Sequence, residues 1–180
     1  MLTDEMKAAI QAIAQEIKDT GKKYFIIHYI GANADTSGKQ VSWYHKIKNG
    51  WKRDGYHIFV NDDGKIERLE PTFARVNGCR ASGWGKNSNE PYIGVAAFQV
   101  CFETLKDLKF SKMQEAVLIE LIRQAIRLVP DIQIGGHREF PDLTAPGKRQ
   151  QTACPGFSVS DWLLRFSIPR KNIFYEVWKP

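Results

Sequence analysis

"KKYFIIHYI", residues 22–30, decides how the rest of the chain is read. Its centre, Tyr24 to Ile27, is an unbroken run of aromatic and β-branched side chains, which predicts a buried strand. His28 stands near the end of that strand, where a polar ring is out of keeping with its apolar neighbours.

Working outward, "LTDEMKAAIQAIAQEIKDTG" (2–21) repeats Met6, Ile10, Ile13 and Ile17 at helical spacing, with Asp4 and Glu5 in the first turn and Gly21 as the stop. After the strand, a polar loop leads to a short helix around "QVSWYHKIK" (40–48), closed near Asn49-Gly50. "GYHIFVNDDGKIERLE" (55–70) reads as a hairpin turning at Asn61–Gly64, with Tyr56 opening its first strand. A glycine-rich loop from Pro71 to Pro91 precedes a further strand, "YIGVAAFQVCF" (92–102). Ser111 and Gln114 form a capping-box pair for the longest helix, whose apolar face runs through Val117, Leu121, Ala125 and Leu128 to Pro130. "DIQIGG" (131–136) is a short strand delivering His137, and "SVSDWLLRF" (158–166) is a capped helix. Strands alternating with helices predict an α/β fold, a single mixed central β-sheet flanked by helices.

A length of 180 residues, 43% of them apolar and 26% charged, suits one soluble globular domain spanning 1–180. No apolar run reaches the ~18 residues of a membrane span, and "MLTDEMKAAIQ" lacks the basic and apolar regions of a signal peptide, so synthesis in the cytoplasm is expected. The net charge of +6 favours anionic partners, but the cations are spread along the chain; without a dense basic stripe a nucleic-acid binder is disfavoured. Three cysteines, Cys79, Cys101 and Cys154, are too few and too odd in number for a disulfide framework.

His28 and His137 each end a strand, and Cys154 lies in a loop pinned by Pro155 and Gly156. Two imidazoles and a thiolate form a three-ligand set for Zn²⁺ with a fourth position open for water, the arrangement of catalytic rather than structural zinc. Zinc can lower the pKa of bound water to ~7 and polarise a carbonyl, which suits amide hydrolysis. Spacing alone leaves a second reading open: His28 as a hydrogen-bonded core histidine and Cys154 as an inert buried thiol.

The strand ending in His28, "GYHIFVNDDGKIE" (55–67), "NEPYIGVAAF" (89–98), "GGHREF" (135–140) and "TACPGF" (152–157) occur in an order that resembles type 2 N-acetylmuramoyl-L-alanine amidases. That family is shared by phage amidase lysozymes and peptidoglycan recognition proteins. The likeness runs from about Lys23 to Phe166, leaving the helix at about 3–20 before it and a basic, aromatic tail, 167–180, after it. It implies zinc held by His28, His137 and Cys154, and catalytic roles for Tyr56 and Thr152. Tyr56 would sit near the attacking water, and Thr152, at a position occupied by Lys in several members, would donate to the oxyanion. Lys148 or Arg149 could supply the charge that a hydroxyl lacks, against the simpler reading of solvated loop cations.

Many relatives read "GAH" where this chain has Gly78-Cys79-Arg80, which bears on substrate preference. His57, next to Tyr56 in an alternating strand, faces away from the metal, and His45 is assigned to packing near Trp43 and Tyr44. Trp51, Trp84 and Asn89 are candidate substrate contacts, the two indoles being equally suited to packing. The expected protein is a monomeric endolysin-like zinc amidase with peptidoglycan (muramyl peptide) as partner, reaching the wall after holin-type release. The alternative is a non-catalytic peptidoglycan-binding recognition module.

Overall fold

The structure, a computed structural model, describes residues 1–30, 36–74, 76, 78, 92–97 (backbone only), 111–140 and 152–174. Helix α1 (Asp4–Thr20) starts at Thr3, whose hydroxyl accepts from Met6 N, and ends at Gly21 in the left-handed region, φ 66°. The five strands are β1 (Tyr24–His28), β2 (Ile58–Val60), β3 (Ile66–Arg68), β4 (Tyr92–Ala97) and β5 (Gln133–Gly136). They form one sheet in the order β3-β2-β4-β1-β5. Pairs β1–β4, β1–β5 and β2–β4 are parallel and the β2–β3 hairpin is antiparallel, so the sheet is mixed, as expected.

Strand β1 is buried on both sides because alternate residues serve two different layers. Phe25 and Ile27 face a core built from Ile10, Ile13 and Ile17 of α1, from α3 (Lys112–Leu128) and from Trp162 and Leu163 of α4 (Val159–Arg165). Ile26 faces the other way, against Phe140, Tyr24 and Phe174. His28, two residues on, shares that second side. Both Ser111 and Gln114 of the predicted capping box make their reciprocal bonds at the start of α3.

Three local expectations are adjusted. The helix expected at 40–48 begins two residues earlier as α2 (Gly38–Trp43), because Ser37 and Gln40 form a capping box; it then widens into a π-helical turn, Tyr44–Lys48. Tyr56 does not open β2 but precedes it in a loop, where Gly55 N–H is held by a side chain instead of a strand partner. The tail after 167 is in part structural. Asn172 donates to the carbonyls of Pro130 and Ile132, and Phe174 stacks on Phe140 with ring centroids 4.1 Å apart. Tyr175–Pro180 and the end of the predicted strand at Cys101 lie outside the described residues. Among the described residues, no helix is long and apolar enough to cross a membrane.

Candidate metal centre

Register places the first two donors. Ile27 pairs with Gly136, so His28 and His137 follow one another off the carboxyl ends of neighbouring parallel strands, the edge at which α/β sheets bind ligands. Their ring centroids are 4.7 Å apart. Gly136 lets the third donor approach, since a Cβ there would lie 2.8 Å from both Pro155 Cδ and Val159 Cγ2. The loop carrying Cys154 is tied to the turn after β5 by Arg138 N–H, which donates to Cys154 O at 2.9 Å. Glu139 completes the junction: its carboxylate accepts from Gly136 N (2.9 Å) and from Val159 N (2.7 Å) at the start of α4.

His28, His137 and Cys154 thus meet although 126 positions separate the outer two, and each offers a donor atom within 4.8 Å of the others. Tyr29 N–H points at Cys154 Sγ (3.3 Å), and His28 Nδ1 lies 3.7 Å from the sulfur. His28 Nε2 is buried with no hydrogen-bond partner among the described residues. An orphaned buried nitrogen beside a second imidazole and a thiol is what a metal-binding set looks like when read from protein atoms alone. Burial, with His137 and His57 adding to it, pulls the His28 pKa well below the usual histidine value, which keeps the ring in the neutral form that a ligand needs.

Tyr56 lies 5.0 Å from His28, ring centroid to centroid. Burial, then the neighbouring Cys154 and Tyr29, raise its phenol pKa, so it stays protonated. Thr152 Oγ1 accepts from Cys154 N at 3.1 Å and keeps its own hydrogen to donate. His45, near Trp43 and Tyr44 in the chain, is buried and packs. Its ring stacks on Trp51 (4.8 Å) and meets Tyr56 edge-on (5.3 Å). His57 Nε2 pairs with Ala74 O at 2.8 Å. Cys79, Arg80, Trp84, Asn89, Lys148 and Arg149 lie outside the described residues.

Reading the sequence missed Asp54, a fully buried carboxylate that binds Ser42 Oγ and Lys46 Nζ, each at 2.9 Å. The signal available was its place directly before Gly55-Tyr56, but an acidic residue in a polar loop ordinarily reads as solvated. A pocket of about 640 Å³ opens from Tyr56 along α2, lined by Ile30, Gln40, Trp43 and Tyr44 among others. A larger one, about 1110 Å³, lies between the end of α1 and Leu69–Phe73 and includes none of the candidate site residues.

At the carboxyl edge of parallel strands, beside a buried tyrosine, two histidines and a cysteine form a donor set that could hold a metal ion. The sequence profile of the N-acetylmuramoyl-L-alanine amidases matches residues 18–157, and the chain belongs to that family. No curated protein matches it in sequence. Its fold is similar to the endolysin amidase LysCS of Clostridium intestinale URNW (TM-score 0.62, 19% identity, covering 84% of this chain and 88% of that one). It is also similar to the Ph2119 endolysin of a Thermus scotoductus MAT2119 bacteriophage (TM-score 0.61, 20% identity, 80% and 84% covered). A third likeness is to the Apis mellifera recognition protein PGRP-SA (TM-score 0.60, 18% identity, 86% of each chain).

Proposed function

We propose that this protein is a zinc-dependent amidase that cuts peptidoglycan between the lactyl group of N-acetylmuramic acid and the L-alanine of the stem peptide, acting as an endolysin after holin-type release. The observation that carries the reading is the convergence of His28, His137 and Cys154 donors within 4.8 Å. The donor set fits Zn²⁺ in number and chemistry. Bound there, Zn²⁺ supplies Lewis acidity that makes water nucleophilic near neutral pH and polarises a carbonyl.

The chain's own groups do the rest. His28 is held neutral by burial, and Tyr29 N–H stabilises negative charge on the Cys154 sulfur. The protonated Tyr56 phenol is a donor that orients the attacking water, and the Thr152 hydroxyl donates to the oxygen on which charge develops. The pocket running from Tyr56 past Trp43 and Tyr44 takes the muramyl peptide, and the net charge of +6 favours adsorption to an anionic wall. Trp51 enters through its stack on His45.

Purified peptidoglycan is expected to yield new alanine amino termini, with release stopped by a chelator and restored by Zn²⁺. His137→Ala is expected to lose both bound metal and release. Wild type and Cys154→Ala binding walls equally while neither cuts would replace this reading with that of a recognition module.

A further inference from the structure

Tyr56 sits in a loop, yet its ring is enclosed. His28 lies on one side at 5.0 Å, and His45 meets it edge-on at 5.3 Å. Gly78 closes a third side: its N–H donates to Gly55 O at 2.8 Å, and a Cβ there would stand 3.0 Å from the Tyr56 ring. His28 is fixed by β1 and Gly78 by the backbone. His45 is different, because it sits on the π-helical turn that widens α2, and its ring needs separate support.

That support is Asp54. Its carboxylate braces the turn that carries the ring, taking a hydrogen bond from Ser42 Oγ at 2.9 Å and pairing with Lys46 Nζ at 2.9 Å, while its Oδ1 lies 3.4 Å from His45 Nδ1 without a hydrogen bond between them. Lys46 also reaches Glu70 Oε1 at 3.2 Å, and Glu70 Oε1 accepts from Asp54 N at 3.0 Å. Gly55 N–H donates to His45 Nδ1 at 3.2 Å, so the ring is tied to the backbone one residue before Tyr56. On its other side the imidazole stacks on Trp51 at 4.8 Å, nearly parallel. A Cβ at Gly55 would lie 3.1 Å from His45 Cε1, so any larger residue there presses on this ring.

A buried carboxylate costs several kcal/mol unless paired, and the groups around this one are Ser42, His45 and Lys46, all on the helix and turn that carry the His45 ring. We propose that Asp54 is a positioning residue: through His45 it fixes the orientation of Tyr56, and so acts on the chemical step rather than on substrate or metal binding. The proposal rests on the amidase reading for its kinetics and on geometry alone for its structural part.

The test is a cycle of wild type, Asp54→Asn, Tyr56→Phe and the double variant, with kcat and KM on soluble muropeptide, zinc content and thermal unfolding measured for each. Asp54→Asn is expected to lower kcat by roughly 10- to 100-fold with KM nearly unchanged and zinc fully bound, as misplacement of a catalytic group does. In the Tyr56→Phe background the same change is expected to have almost no further effect, because the group it positions is gone. An equal loss in both backgrounds, or a rise in KM at constant kcat, overturns the proposal. His45→Phe keeps the ring packing and loses the contacts with Asp54 and Gly55; it is expected to follow the same pattern and decides the matter should Asp54→Asn not fold. Fluorotyrosine in place of Tyr56 gives a readout free of activity. Its fluorine resonance is expected to shift or broaden with Asp54→Asn, and an unchanged resonance refutes the positioning. A wild type that cuts nothing defeats the amidase reading, while the fluorine result still judges Asp54.

Discussion

Thr152 shows how much a single side chain can carry here. Its Oγ1 accepts from Cys154 N at 3.1 Å, which orients the hydroxyl and leaves its hydrogen to donate. On the proposed mechanism, Thr152→Val keeps the shape and removes the donor, and kcat for muropeptide cleavage is expected to drop by about 10²–10³, the usual loss for one oxyanion donor. Thr152→Ser is expected to restore most of it. If the valine variant matches wild type in kcat, Thr152 serves only to brace the Cys154 loop. His28 makes a related point about polarity. Its Nε2 is one of the few buried polar atoms among the described residues without a hydrogen-bond partner, and a buried nitrogen of that kind is tolerated where something else binds it.

Among the elements, the junction of β5, the Cys154 loop and α4 is closely packed. Gly136 is in contact range of Pro155 and Val159, and Glu139 stitches the strand end to the first turn of α4 through Gly136 N and Val159 N. Gly136→Ala would set a Cβ 2.8 Å from two side chains, which overpacks the junction. The expected outcome is a stability loss of about 1–3 kcal/mol by denaturant unfolding, accompanied by weaker metal retention on dialysis because Cys154 is pushed away from the two histidines. Retained metal together with lost stability would mean that the loop yields without moving its thiol. α3, by contrast, is begun by local chemistry, the reciprocal capping of Ser111 and Gln114.

At the scale of the whole molecule, acid is expected to loosen the fold in two separate windows. For His45, burial lowers the pKa and Asp54 only partly offsets it, leaving a value below the ordinary 6.5. The unfolded ring then binds a proton more readily than the folded one, so its stabilisation is whole above 6.5 and is lost as pH falls below it. For Glu16, burial raises the pKa, but hydrogen bonds from Arg68 and Thr72 and the charge of Arg68 outweigh it and leave a value below 4.5. That contribution is present above 4.5 and fades as pH falls through the folded value. The unfolding temperature of chelator-treated protein is therefore expected to decline on acidification, first below 6.5 and again below 4.5. His45→Phe is expected to flatten part of the first decline; His28, lowered by burial as well, supplies the remainder. A melting temperature that stays level from about pH 7 to 5 would show that the buried histidines carry no such penalty.

What the chain determined by itself follows from periodicity and local chemistry. The α/β order of elements, the caps at Ser111 and Ser158, the turn at Asn61–Gly64 and the apolar run of β1 are all set by neighbours within a few residues. The three donors were legible as types at strand ends and in a pinned loop, because His and Cys are conspicuous there. Their meeting was decided only by the tertiary structure. Parallel pairing of β1 with β5 in the register Ile27–Gly136 brings two histidines far apart in sequence to one edge, and no local rule sets that register. Asp54 was invisible for the same reason: its partners Ser42, His45, Lys46 and Glu70 come from other segments. A charged side chain is read as exposed until the fold supplies the groups that satisfy it, and only packing reveals that it is buried.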